Sequence, residues 1–96
     1  MNSTIGKFLV NHNISASRFE VELGEEKAIL IYMIKSGLFI IMHTEVPVAF
    51  EGRGIASHLA KEAMEYARQN GLKVRSYCSF TTRYLERHPE YQALEG

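Results

Sequence analysis

The chain has 96 residues, with eleven Lys plus Arg balancing eleven Asp plus Glu, 46% hydrophobic residues, seven Gly, two Pro and one Cys. This length closes one small hydrophobic core, read as a single domain over residues 1–96, so any ligand binds on or within that core. Zero net charge argues against duplex nucleic acid or an anionic membrane as the main partner, and a lone cysteine excludes an intramolecular disulfide and fits a reducing cytoplasm.

Near the amino terminus, Phe8-Leu9-Val10 after Lys7 is too short for a signal-peptide core. The first 17 residues mix Asn11, Asn13, Ser15 and Ser17 with scattered apolar residues and fit either a short first strand or an arm. Phe19-Glu20-Val21-Glu22-Leu23 then alternates apolar and acidic positions, the period of a strand with one wet face. Gly24-Glu25-Glu26-Lys27 reads as a turn. Ile29 to Ile34 and Leu38 to Met42 are β-branched and aromatic runs joined at Ser36-Gly37, which predicts a three-stranded antiparallel meander. The same stretch, Ala28 to Met42, is apolar apart from Lys35-Ser36-Gly37. That interruption separates runs of seven and five residues, and a membrane span needs about twenty.

From Ile55 the period changes from two to 3.6. Ile55, Ala56, Leu59, Ala60, Ala63, Met64, Tyr66 and Ala67 form one stripe, opposed by Ser57, His58, Lys61, Glu65 and Arg68, and Asn70-Gly71 supplies the stop. Leu72 to Tyr77 returns to alternation, with Val74, Ser76 and Cys78 on one face, and a strand after a helix implies a parallel crossover. Thr81 to Arg87 predicts a last short helix, ended by Pro89 acting on His88. No repeat or linker divides the chain.

The stretch richest in chemistry is Val46-Pro47-Val48-Ala49-Phe50-Glu51-Gly52-Arg53-Gly54-Ile55-Ala56, which runs from a strand into the long helix. Glycine at a helix start opens backbone angles closed to other residues and lets a ligand approach the main chain. The free amides of the first turn and the positive end of the helix dipole then bind an anion without a lysine, and Arg53 is placed to add a charge-assisted contact. A Walker loop is absent. Gly52-x-Gly54-x-x-Ser57 approximates a dinucleotide fingerprint, but the strand-helix-strand context and the acidic ribose ligand are missing.

Gly52-Arg53-Gly54-Ile55-Ala56, opening an amphipathic helix after a strand, resembles the acetyl-CoA pyrophosphate loop of the GNAT-type N-acetyltransferase superfamily. With His43-Thr44-Glu45-Val46-Pro47, Cys78-Ser79-Phe80 and His88-Pro89-Glu90-Tyr91 in that order, the chain resembles the small single-domain GNAT-like proteins over roughly Phe19 to Tyr91. The resemblance implies an α+β fold, in which an antiparallel meander leads into a mixed sheet with a long amphipathic helix and a short C-terminal helix. The strand entering the glycine turn and the strand ending at Cys78 would splay apart around the pantetheine arm. Main-chain groups near Thr44 and Val46 would pair with pantetheine amides, and the amides of Arg53, Gly54, Ile55, Ala56 and Ser57 would receive the pyrophosphate. One departure is Glu51, where the superfamily usually has Arg or Gln. A carboxylate about 8 Å from a phosphate costs on the order of 2 kcal/mol at an effective dielectric near 20, so Glu51 is expected to point outward or CoA affinity to be reduced.

Acetyl transfer needs a base for the amine and an acid for the departing thiolate. Cys78 precedes a helix whose amides favour thiolate, and the resemblance places it near the acetyl group, to accept acetyl, to protonate the leaving group or to pack; the bland alternative is a buried small hydrophobe. His43 and Glu45 share a strand face and are candidate bases, or respectively a structural hydrogen-bonding group and a solvated surface group. Tyr84 is the candidate for the tyrosine acid that many superfamily members carry in the last helix, or a core residue. His58, Arg68, Lys73, Arg75, Arg83 and Arg87 make the second half locally basic, to attract CoA's terminal phosphate or an acidic acceptor, or simply as a solvated surface. The four His lack metal-site spacing and partner cysteines, so no metal is expected. The expected activity is acetyl-CoA-dependent transfer to an amine, either a small amine or a protein lysine, in the cytoplasm. The alternative is a non-catalytic CoA-binding or protein-interaction module. The sequence leaves the oligomeric state open.

Overall fold

The computed structural model describes residues 2–5, by their backbone alone, and residues 8–96. Five strands, β1 (Asn2–Ile5), β2 (Phe8–Asn13), β3 (Arg18–Leu23), β4 (Glu26–Lys35) and β5 (Leu38–Glu45), form a continuous antiparallel meander. Helix α1 (Ile55–Gln69) crosses over the sheet, β6 (Lys73–Ser76) pairs parallel to β5, and α2 (Ser79–Arg87) leads into a 3-10 turn at Pro89–Leu94. The spatial order of the sheet is the order of the sequence, β1 to β6.

The meander is thus longer than the three strands predicted, because the amino-terminal segment pairs as β1 and β2 and does not form an arm. The reading was obscured by polar residues: on β2 it is Val10 and His12 that are buried, while Leu9 and Asn11 lie on the opposite face. The turn after Leu23 is also shorter than expected, since Glu26 already pairs with Leu23. Inward side chains Val10, Phe19, Val21, Leu30, Phe39, Ile41 and Val74 pack with Ile55, Leu59 and Met64 of α1. Ala60, Ala63 and Ala67 are fully buried between them, and their small side chains let the helix lie close against the sheet.

One irregularity shapes the functional end. Tyr32 pairs with Ile41 and Ile31 with His43, so Met42 is an extra residue in β5, a β-bulge. A bulge bends its strand and resets which face each later residue occupies. Ile41 is fully buried, Met42 and His43 are exposed, and Thr44 turns back to the helix side in register with buried Leu30.

Two buried polar groups pin the early strands. Glu20, on the helix-free face, accepts from Arg18 Nε at 2.5 Å and Asn13 Nδ2 at 3.2 Å; burial pushes its carboxyl up, but these bonds outweigh it and hold the group below 4.5. On the helix side His12 stacks on Phe19 with ring centroids 4.0 Å apart, and its Nε2 lies 2.6 Å from the Tyr32 hydroxyl. His12 Nδ1 is buried without a partner. Burial therefore lowers the imidazole below its ordinary 6.5, because a protonated ring would carry an N–H with no acceptor.

The unfolded chain takes up the proton that folded His12 refuses, so stability is complete above pH 6.5 and declines as the pH falls below that value. Glu20 and Glu65, both held below 4.5, lose their contributions only at more acid pH. Urea unfolding should show this decline between the two ranges in the wild type and none in His12→Phe; an equal slope in both proteins would assign it elsewhere.

Candidate functional site

Parallel pairing of β5 with β6 runs from Leu38–Lys73 to Ile41–Ser76, and its last bond is donated by Tyr77 N–H to the Ile41 carbonyl at 2.9 Å. Beyond it the bulge carries β5 onward beside β4, while the chain after β6 turns into α2. The outer edge of β5 from Met42 to Glu45 is left without a neighbouring strand, and edge groups of this kind bind extended ligands through their main chain. Both helices start at this end, since each follows the carboxyl end of one of the two diverging strands.

Pro47 opens a 3-10 turn at Val48–Phe50, after which Gly52 (φ 81°) and Gly54 (φ 79°) are both left-handed. A Cβ built on either glycine meets nothing within 4 Å, so it is the backbone angle that requires glycine, and the space before the loop is open. The first bond of α1 runs from His58 N–H to the Gly54 carbonyl at 3.1 Å, leaving the amides of Ile55, Ala56 and Ser57 without helical partners. Gly54 provides no side-chain cap, and the first turn holds no acidic residue. No side chain within the helix itself offsets its positive end.

In front of it lies a cavity of about 380 Å³, walled by Thr44, Val46, Phe50, Glu51, Gly52, Gly54, Ile55, Ala56, Ser57 and Phe80. Strand edge, glycine loop and both helix starts meet there. The cavity wall is largely apolar and includes the start of α1, where the amides lack helical partners, a composition that suits a long ligand with an anionic segment. Arg53 is not in the wall; its guanidinium lies 5.3 Å from the centre of the Phe50 ring and backs the ring that is. Glu51 is exposed and belongs to the wall.

Cys78 is the N-cap of α2 and half-buried, immediately behind the wall formed by Thr44 and Phe80. Thr81, fully buried, and Thr44 each carry a buried hydroxyl without a hydrogen-bond partner. Both hydroxyls face the Cys78 sulfur, as do the main-chain N–H groups of Phe80 and Thr81. Burial pushes the thiol up, but these dipoles outweigh it and leave it below the ordinary value of 9.0. The part played by Thr81 was missed from sequence, although its position three residues after Cys78 at a helix start was the available signal.

The remaining candidates are dispersed. His43 and Glu45 lie on the helix-free face, away from the cavity wall, joined by a 3.2 Å bond between His43 Nε2 and Glu45 Oε1. Tyr84 is buried, stacked on His88 at 3.8 Å, and contributes to a neighbouring recess rather than to the cavity. Burial, then the carboxylates of Glu90 and Glu65, raise its phenol above 10.0. Tyr91 donates to Glu65 Oε2 at 2.6 Å and ties the closing turn to α1. Among the described residues no group of three or more His, Cys, Asp or Glu is arranged to hold a metal, and no helix is long and apolar enough to cross a membrane.

A mixed sheet parted at one end, with an uncapped helix start beside the parting, is the α+β architecture of the GNAT acyltransferases. The chain belongs to the GCN5-related N-acetyl-transferase family, which matches residues 18–94. It is similar to Protein NATD1 of Xenopus tropicalis, 38% identical over 89 residues, covering 90% of this chain and 82% of the relative. The Mus musculus NATD1 is 36% identical over 93 residues, covering 94% and 84% respectively. A GCN5-like protein from Staphylococcus aureus, with a structure solved in solution, superposes with a TM-score of 0.73 at 28% identity, covering 91% of this chain and 86% of that one.

Alkylation by iodoacetamide followed against pH should place the titration of Cys78 below 9.0. Thr81→Val should move it up with little loss of stability, since the hydroxyl removed is buried without a partner. An unchanged titration in this variant would remove Thr81 from the account of the thiol.

Proposed function

We propose that the protein is an acetyl-CoA-dependent N-acetyltransferase acting on an amine, either a small amine or a protein lysine. The observation that carries this reading is the convergence of an uncapped helix start and an unpaired strand edge on one cavity. The residues present fit the co-substrate. Amides of Arg53, Gly54, Ile55, Ala56 and Ser57 would hold the pyrophosphate, and main-chain groups near Thr44 and Val46 would pair with the pantetheine arm. Family membership supports the same chemistry.

In that chemistry the amine nitrogen attacks the thioester carbonyl, loses a proton to a base, and the carbon–sulfur bond breaks as the CoA sulfur takes up a proton. Cys78 is the group we assign to the thioester end, because Thr44 and Phe80 on either side of it wall the cavity and its thiol is already polarised. His43 and Glu45 stand on the opposite face of β5 at the same unpaired edge, so an amine arriving from the helix-free side would pass them first. They are the assigned base pair. Tyr84, outside the cavity, is left with the packing role its stacking supports.

Calorimetric titration should show acetyl-CoA binding to the wild type and none to folded Gly54→Glu, whose carboxylate would occupy the anion position. Absence of binding to the wild type at millimolar acetyl-CoA would overturn the reading and favour a protein-interaction module. Glu51→Gln should tighten binding about threefold, a fraction of the full Coulomb term because Glu51 is exposed.

Cys78→Ala should lower acetyl transfer at least about 100-fold, the lower range for a lost acid or base, while leaving acetyl-CoA affinity within about twofold. Transfer at the wild-type rate would reduce Cys78 to a packing residue.

A further inference from the structure

The helix-free face of the sheet follows two different rules. On β3 it is charged, with Arg18, Glu20 and Glu22 alternating with the inward Phe19, Val21 and Leu23. On β4 it is apolar: the buried Ala28, Leu30 and Tyr32 alternate with Ile29, Ile31 and Met33, so both sides of the strand carry the composition of a strand covered on both faces. Leu38 and Ile40 of β5 widen this strip, with Ile40 in register with Met33. Met33, at its middle, is 44% exposed.

The strip ends in charges of opposite sign. Strand register places Glu45 beside Ile29 at one end, and Lys35 and Lys73 on either side of Leu38 at the other. Among the described residues neither lysine has a carboxylate within 4.0 Å; Lys73 Nζ donates to the Ala93 carbonyl at 3.0 Å. Arg75, next to Ile40, adds to the basic end and donates to the Gly96 carbonyl. At the acidic end Glu20 and Glu22 are already matched by Arg18 and Lys27, whereas Glu45 bonds only His43. The unmatched charges are therefore one acid at one end and a group of bases at the other.

A face with an apolar middle and opposite charges at its ends is complementary to itself turned end for end. A two-fold axis lying across the strands, between the Ile31 and Met33 positions, sets β4 antiparallel over β4 and β5 over β5. Ile31 then meets the partner's Met33, and Glu45 falls over the partner's Leu38, between the partner's Lys35 and the partner's Lys73. An axis along the strands would instead bring like-charged ends together. From Ile29 to Lys35 and across β3 to β6 the face measures about 20 Å each way, so such a contact buries on the order of 1,000 Å² in total, the lower end for a specific interface.

We propose that the helix-free face is the interface of a reversible homodimer, in which Ile31 and Met33 pack across the two-fold axis and Glu45 pairs with the lysines of the second copy. The dimer is independent of the acetyl-transfer reading. On that reading, the unpaired edge of β5 lies at the margin of the interface, and the acceptor amine enters sideways past the partner's Lys73.

Sedimentation of the wild type from micromolar to millimolar concentration tests this, with circular dichroism to confirm that each variant is folded. Wild type should pass from monomer to dimer, and Met33→Glu should weaken association about tenfold or more, because it sets two carboxylates near the axis. Lys35→Glu/Lys73→Glu and Glu45→Lys should each be monomeric alone and form a heterodimer when mixed, since each restores the charge that the other has lost. A wild type still monomeric at millimolar concentration overturns the proposal and leaves the face to another partner. A dimer that survives unchanged in Met33→Glu or in the separate charge variants, or a mixture that stays monomeric, overturns this interface. Should Met33→Glu not fold, the charge variants decide alone, since all three positions they change are exposed.

Discussion

Everything at the functional end depends on where two parallel strands stop pairing. β5 and β6 keep register through Ile41–Ser76, and the bulge at Met42 then commits β5 to continue beside β4 while the other chain turns into a helix. Main-chain groups on a strand edge bind water or a ligand, and a parting of this kind exposes them beside an apolar interior without opening the core itself. The core tolerates it because the packing that holds α1 to the sheet, from Ile55 to Ala67, spreads from β2 to β6 and not only across the parting. The same bulge decides chemistry. It returns Thr44 to the side of the cavity and leaves His43 and Glu45 on the opposite face, so one short segment addresses both sides of the sheet.

The second consequence is electrostatic. Both helices that begin at this end lack a side-chain cap and an acid in the first turn. A helix start with neither forgoes stabilisation of about 1 kcal/mol or more, which an ordinary Ser, Asp or Glu would provide. In α1 the residue at that position is a left-handed glycine, incompatible with a capping side chain on both counts. The loop presents main-chain amides that no cap or first-turn acid of α1 engages.

Much of this was legible in the sequence, and the parts that were not share a cause. The β3 to β5 meander, the amphipathic helix, the parallel return and the glycine turn are local patterns, written in periods of two and 3.6 and in residues with special backbone angles. Strands β1 and β2 were not, because the inward positions of β2 include His12, whose burial is satisfied by Tyr32 twenty residues away. The bulge at Met42 was invisible for a similar reason: an extra residue in an unbroken apolar run alters no pattern until the partner strand is known. For the site, glycine loop and Cys78 could be read from residue type and order. That Glu51 lines the cavity and that Thr81 turns its hydroxyl to the thiol are facts of three-dimensional neighbourhood.

Unsatisfied polar groups sort the molecule into two regions with different meanings. His12 Nδ1 is orphaned inside an aromatic cluster, where the ring stacks on Phe19 and meets Tyr66 edge-on; its cost is borne for packing, and its effect is a dependence of stability on pH. Thr44 and Thr81 are orphaned beside a half-buried sulfur, against a cavity wall, within reach of two helix starts. There the group that the hydroxyls face is a thiol. A thiol accepts weakly from a hydroxyl, but a thiolate accepts strongly, so hydroxyls that gain little from the resting cysteine gain more as its proton leaves. Groups arranged to bind better after a proton moves than before it stabilise the later state at the expense of the earlier, which is the condition an acid–base or nucleophilic cysteine has to meet and a packing cysteine does not.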